Sequence, residues 1–137
     1  MTPTVDLPGV VAQVTAAFDA YEAALVAGDT AVLNELFWES PLTVRFGVGD
    51  AQTGHEALAR WRAAQPPLPS GRTLADTRVV GLGEDVAVVT TTFRYPGRPT
   101  VGRQSQTWVR MPEGWRIVSA HVSEVPCGQA AGTRPRS

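Results

Sequence analysis

Two side chains in the first half of the sequence, Tyr21 and Arg45, are of types that can take part in proton transfer or in binding an acid. A tyrosine hydroxyl can donate a proton, and an arginine binds carboxylates through paired N–H groups. Tyr21 lies on an apolar helical stripe, so it also fits a core tyrosine bonded to a backbone carbonyl. Strand alternation puts Arg45 opposite Val44 and Phe46, but it leaves open which face meets the core. Each residue therefore has a chemical and a structural interpretation.

A second polar set lies in the segment 102–108, between segments that resemble central strands. Alternation places Gln104, Gln106 and Trp108 on one face and Arg103, Ser105 and Thr107 on the other. A polar face inside an apolar sheet lines a wet pocket or packs across a subunit interface, and the sequence leaves both open. We assign the substrate contacts to Trp38, Gln104 and Gln106.

The two histidines give weaker signals. His121 could be a general base, but it alternates with the apolar Val118, Ala120 and Val122, the set expected to meet the helices. A structural or interfacial histidine is therefore favoured, and His55, at a helix start, is expected on the surface. The histidines lie far apart in sequence without clustered carboxylates, so no metal site is predicted. Nucleophile-elbow and dinucleotide-binding motifs are absent from the sequence.

Composition narrows the function classes. The net charge is −1, and all 12 basic residues are arginines, which gives no excess positive charge for nucleic acid and no Schiff-base lysine. The single cysteine, Cys127, allows no intrachain disulfide. The N-terminus has no basic leader, and no apolar run approaches the roughly 18 residues of a membrane span. We expect a cytoplasmic protein without metal or organic cofactor, and no nucleic-acid or membrane partner.

The elements that must position these residues are indicated by periodicity. Apolar residues at three- and four-residue steps predict a helix from Pro8 to Gly28, and Asp29 is a good N-cap for a shorter second helix. A strand over 42–46, a turn through Gly47 to Gly54, and a helix over 55–65 follow. Four extended segments are then predicted at 74–82, 86–95, 102–110 and 115–125.

This order predicts one α+β domain over 1–126, with a mainly antiparallel sheet and a flexible tail over 127–137. With 137 residues and 43% hydrophobic composition, the chain can bury a core without disulfides or metals. A curved sheet with helices across its concave side would leave a pocket between the two layers, where a small ligand would bind.

Four segments resemble a known family: Arg45-Phe46-Gly47, the helix start Gly54-His55-Glu56-Ala57, and the long runs 102–110 and 114–123. They are similar to the AtzH-like (HpxZ-like) family of the nuclear-transport-factor-2-like, or SnoaL-like, superfamily. The resemblance covers about residues 10–126. It implies a cone-shaped α+β fold in which a curved, mostly antiparallel sheet wraps a long N-terminal helix.

The resemblance also implies a function. The family is associated with catabolism of ureido and amide acids, in cyanuric acid or oxalurate degradation, and activity on 1,3-dicarboxyurea is attributed to its members. The implied catalytic pair matches Tyr21 and Arg45. The expectation is therefore a small-molecule decarboxylase or amide hydrolase that acts on a carboxylated urea.

A non-enzymatic alternative comes from the same C-terminal pattern, which is also similar to the association domain of calcium/calmodulin-dependent kinase II, an oligomerisation module. A module that captures a small acid without turnover therefore stays open. In either case we expect a homodimer through the outer sheet face. The residues expected on that face are Arg103, Ser105, Thr107, Val109, Ile117, Ser119 and His121.

Overall fold

The computed structural model describes residues 2–128 and contains three helices and six strands within them. The helices are α1 (Pro8–Ala27), α2 (Thr30–Leu36) and α3 (His55–Ala63). The strands are β1 (Val44–Gly47), β2 (Asp50–Thr53), β3 (Thr73–Leu82), β4 (Val86–Arg94), β5 (Thr100–Met111) and β6 (Gly114–Pro126). The predicted α+β class is confirmed, and the element order agrees with the prediction except for the additional strand β2. The predicted tail lies mostly outside the described residues.

The first two helices form the expected hairpin, and local sequence explains their ends. Pro8 occupies the first turn of α1, where a missing N–H costs nothing, and Gly28 ends the helix with φ 71°. Asp29 then caps α2 by accepting a hydrogen bond from the Val32 amide at 3.2 Å. The buried stripe of α1 consists of Val10, Val14, Phe18, Tyr21 and Ala24.

The six strands form one curved sheet in the order β2-β1-β6-β5-β4-β3. β1 runs parallel to β6, and all other neighbours are antiparallel. Strand β2 was not predicted, because Asp50-Ala51-Gln52-Thr53 lacks apolar alternation and was assigned to a turn. It pairs with β1 so that Gln52 lies opposite Arg45, which adds a polar side chain to the inner face.

A bulge in β6 changes which residues of this strand face the core, compared with the prediction from alternation. Thr107 pairs with Ser119 and Trp108 with Ile117, so Val118 is an extra residue in β6. Alternation across the bulge shifts by one position, and Ile117 and Ala120 both point into the core. The expectation that Ile117 shares the outer face with His121 was therefore wrong.

Helix α1 packs against β3, β4 and β6, and α3 packs against β2 and α2, which places both helices on one side of the sheet. Helix α1, with 20 residues, is also long and apolar enough to cross a membrane. The expectation that no segment approaches a membrane span was thus wrong by this measure. A core helix passes the same test, and one face of α1 is buried against the sheet.

Candidate active site

Tyr21 points into the space between α1 and the sheet and is only 5% exposed. Its ring meets Phe37 edge-on, with the ring centres 6.2 Å apart. Within residues 2–128, no protein group hydrogen-bonds the Tyr21 hydroxyl, so the interpretation as a core tyrosine bonded to a backbone carbonyl does not fit. The buried phenol is left with a free donor and acceptor.

The electrostatics of Tyr21 are set by burial and four charges. Burial raises the pKa of the Tyr21 phenol above its usual value of 10.0. The positive charges of Arg62, Arg45 and Arg72 oppose this rise, whereas Glu22 adds to it. Burial is the largest effect and the pKa stays raised, so Tyr21 is a protonated donor at neutral pH.

Arg45 lies on the same inner face, opposite the buried Ala120 of β6. Its Nη1 donates to the Asp50 carboxylate at 2.8 Å and to the Gln52 carbonyl at 3.1 Å, and its guanidinium lies 4.2 Å from the Trp61 ring centre. A side chain at Gly47 would collide with Arg45 Nη1 and with Asp50, which explains the glycine in the Arg45-Phe46-Gly47 segment. Alternation left the face of Arg45 open, and the structure puts it on the concave side.

Arg62 of α3 completes the group, and the sequence analysis missed it. It is 7% exposed, and its Nε and Nη2 have no hydrogen-bond partner within residues 2–128. Its guanidinium carbon lies 5.3 Å from the Phe37 ring centre and 5.9 Å from that of Trp61. Burial lowers the pKa of Arg62, Tyr21 opposes this shift, and Arg45 adds to it. Its position one turn after the buried Leu58 was the available sequence signal.

A separate ionic network joins α1 to the sheet. Arg72 donates through Nε and Nη2 to the two carboxylate oxygens of Glu22, at 2.9 and 3.3 Å, and through Nη1 to Tyr95 at 3.1 Å. Burial lowers the pKa of Arg72, but the hydrogen bonds and charges of Glu22 and Tyr95 raise it by more. The pKa of Arg72 is therefore above its usual value. The Glu22 side chain is only 12% exposed, so the ion pair lies largely out of solvent.

The three residues predicted to contact the substrate lie in three different environments. Gln104 is buried, accepts from Arg72 at 3.2 Å and donates to Glu22 at 3.1 Å, so it belongs to the ionic network. Gln106 is 1% exposed and accepts from Trp108 at 3.1 Å, and its Nε2 has no partner within residues 2–128. The Trp38 backbone bonds to Ile117 and Thr43, and its half-buried indole makes no hydrogen bond or ring contact with described residues.

The histidines lie away from this interior group. His121 is exposed on the outer face and meets the Phe46 ring edge-on, with ring centres 6.1 Å apart. His55 was expected on the surface, but it is half-buried and its Nε2 donates to the Asn34 carbonyl at 2.6 Å. Among residues 2–128, no three His, Cys, Asp or Glu side chains cluster closely enough to hold a metal ion.

The geometry can now be compared with known proteins. The profile of the AtzH-like family matches residues 3–127. This chain belongs to the AtzH-like family. A search of curated proteins found no match.

Two solved structures are similar over nearly the whole chain. A protein of unknown function from the DUF3225 family of Pectobacterium atrosepticum is 49% identical, with a TM-score of 0.86 over 88% of this chain and 94% of the other. A cystatin-like fold protein from Burkholderia xenovorans is 47% identical, with a TM-score of 0.88 over 90% and 98%. This chain therefore has the same fold as these two structures.

A more distant structure extends the fold to a larger superfamily. A nuclear-transport-factor-2-like protein from Salmonella enterica is 26% identical, with a TM-score of 0.68 over 84% of this chain and 90% of the other. The expected nuclear-transport-factor-2-like fold is thus confirmed.

Proposed function

We propose that this chain is a cofactor-independent enzyme that decarboxylates or hydrolyses a small carboxylated urea such as 1,3-dicarboxyurea. One observation carries the proposal: the hydroxyl of the buried Tyr21 has no hydrogen-bond partner within residues 2–128 and lies among arginine charges. A protonated phenol in such a site can donate to an atom that gains negative charge, and the arginines favour an anionic ligand. Family membership supports the ureido-acid class.

For decarboxylation, the bond that breaks joins the nitrogen of the urea to its carboxylate carbon. The bonding electrons pass to the nitrogen, the carboxylate leaves as carbon dioxide, and the nitrogen takes a proton. Tyr21 supplies that proton and recovers one from water, so each cycle consumes one proton and converts dicarboxyurea to allophanate. Arg45 offers a second positive charge to the ligand from the inner face of the sheet, and Gln106 offers its free Nε2 to a ligand carbonyl.

The test is incubation of purified protein with 1,3-dicarboxyurea, allophanate or oxalurate, with carbon dioxide, ammonia and urea measured separately. Carbon dioxide without ammonia identifies a decarboxylase, whereas ammonia, or urea formed without carbon dioxide, identifies an amide hydrolase. Arg45→Met is expected to weaken acid binding several-fold, and less than loss of an uncompensated charge would, because Asp50 already neutralises Arg45. If the protein binds one of these acids but releases no carbon dioxide, ammonia or urea, the binding-module alternative replaces the enzyme.

We also propose a cytoplasmic homodimer formed through the outer sheet face. That face carries a shallow groove lined in part by Thr90, Thr92, Arg103, Ser105 and His121, beside the half-exposed Phe46. A mixed polar and aromatic surface of this kind suits a subunit interface. Light scattering at micromolar concentration should give twice the chain mass, and a monomer mass would refute the dimer.

A further inference from the structure

The guanidinium of Arg62 has one edge that no other group within residues 2–128 uses. Its Nε–H and one Nη2–H lie on the same side of the planar group, which is the arrangement that grips both oxygens of a carboxylate. Both nitrogens are buried and without a hydrogen-bond partner within residues 2–128. Arg72 uses these same two nitrogens to hold both oxygens of Glu22.

The charges around the interior identify which arginine lacks compensation. Arg45 has Asp50 at 2.8 Å, and Arg72 has Glu22 at 2.9 Å. No carboxylate among the described residues forms an ion pair with Arg62. A buried guanidinium without an anion carries a large desolvation cost.

The aromatic rings beside Arg62 do not replace that anion. Phe37 and Trp61 lie close enough to interact with the guanidinium through their π faces. Such contacts stabilise the positive charge, but they provide no acceptor for Nε–H and Nη2–H. The acceptor oxygens for this edge must therefore come from outside residues 2–128, and a ligand carboxylate supplies two of them.

We infer that Arg62 is the main anion-binding group in the space between α1 and the sheet and binds a ligand carboxylate side-on through Nε and Nη2, next to Tyr21. This inference rests on the proposed function and sharpens it, because it assigns the principal anchor to Arg62 and a lesser contact to Arg45. The ligand class is a small planar acid with one carboxylate on Arg62 and the rest of its amide or urea skeleton within reach of Tyr21.

The test compares oxalurate with oxaluramide, its neutral amide of nearly the same shape, by calorimetric titration. Wild-type protein should bind the acid and discriminate against the amide. Arg62→Met should weaken oxalurate binding about 10- to 100-fold, the usual cost of losing a charged bidentate pair, and leave the weak amide binding unchanged. Arg60→Met is the matched control, because Arg60 lies on the same helix, is 69% exposed and should leave oxalurate binding unaltered.

A second variant separates charge from geometry. Arg62→Lys keeps the positive charge but lacks the paired N–H groups, so its oxalurate affinity should fall between those of wild type and Arg62→Met. The inference is overturned if wild type does not prefer the acid over the amide, if folded Arg62→Met retains wild-type affinity, or if Arg45→Met causes the larger loss. Arg62-dependent binding without product release would remove the proposed enzyme and leave the subsite standing.

Discussion

Arg62 and Arg72 are two buried arginines in one small interior, and the protein treats them differently. Arg72 is saturated: Glu22, Tyr95 and Gln104 accept from all three of its nitrogens. Arg62 is equally enclosed, but two of its nitrogens have no acceptor within residues 2–128. The comparison separates an arginine that holds the fold together from one that the fold holds ready for a ligand.

Helix α1 creates this difference with two adjacent residues. Tyr21 and Glu22 are about 100° apart around the helix, so they face different parts of the interior. Glu22 gives Arg72 a full negative charge, whereas Tyr21 gives Arg62 a neutral hydroxyl. One turn of α1 therefore supplies both the structural ion pair and the polar site.

The largest effect should come from breaking the buried ion pair between Glu22 and Arg72. Arg72→Met would leave the Glu22 carboxylate buried without its partner, and we expect the free energy of unfolding to fall by about 3 to 5 kcal/mol. Urea denaturation measures the loss. Replacing both charges, as Glu22→Leu with Arg72→Met, should recover much of it. A change below about 0.5 kcal/mol in the single variant, the size expected for the exposed Arg60→Met control, would contradict this structural role.

On the other side of the comparison, Tyr21→Phe should lower turnover and leave the fold intact. The variant removes only the hydroxyl, which has no hydrogen-bond partner to lose among the described residues. We expect about a hundredfold drop in kcat with acid binding nearly unchanged, the scale of a lost acid or oxyanion donor. Tyr95→Phe is the matched control, since Tyr95 bonds Arg72 in the structural network. Equal turnover in Tyr21→Phe and wild type would eliminate Tyr21 as the proton donor.

Replacing Arg62 and replacing Arg72 should change the free energy of unfolding in opposite directions. Arg62→Met removes a buried charge without an anion and fills the same space with an apolar chain, so we expect stability to rise by about 1 kcal/mol without ligand. Urea denaturation of wild type, Arg62→Met and Arg72→Met in one buffer measures both effects. A loss of stability in Arg62→Met comparable to that in Arg72→Met would show that Arg62 also stabilises the fold, and would contradict the distinction between the two arginines.

These residues also show how far the sequence could be read. Three- and four-residue spacing predicted the buried stripe of α1, including Tyr21, because one helix determines it. The face of Arg45 required knowing which side the helices cover, which depends on the whole sheet. Glu22 and Arg72 are 50 residues apart, so their pairing could not come from local spacing. An arginine on a helix is usually solvated, so only its alignment with Leu58 distinguished Arg62.

Similar limits apply to the strands. Alternation assigned the inner face of β5 correctly, since Gln104, Gln106 and Trp108 are all buried there. It failed in β6, because the bulge at Val118 inserts one residue and leaves no local mark in the sequence. Strand β2 gains its stability from pairing with β1, and its polar residues gave no periodic signal.

The smallest expected effect is a pH dependence of stability that arises from titration of the Tyr21 phenol. The pKa of Tyr21 is raised in the folded protein, chiefly by burial, so between pH 10.0 and that raised value the unfolded chain releases a proton that the folded chain keeps. The unfolded state then binds fewer protons, and stability must fall as the pH rises through this window. Below pH 10 both states are protonated, and this contribution to folding is fully retained.

Denaturation curves for wild type and Tyr21→Phe, recorded from pH 8 to 11, isolate this contribution, because every other titrating group is common to both proteins. The stability difference between the two should be constant up to about pH 10 and should then shift against the wild type. A difference that shifts in favour of the wild type would mean that Arg62, Arg45 and Arg72 together outweigh burial and hold a phenolate. Tyr21 would then be a base, and the proton-donor role would have to be reversed.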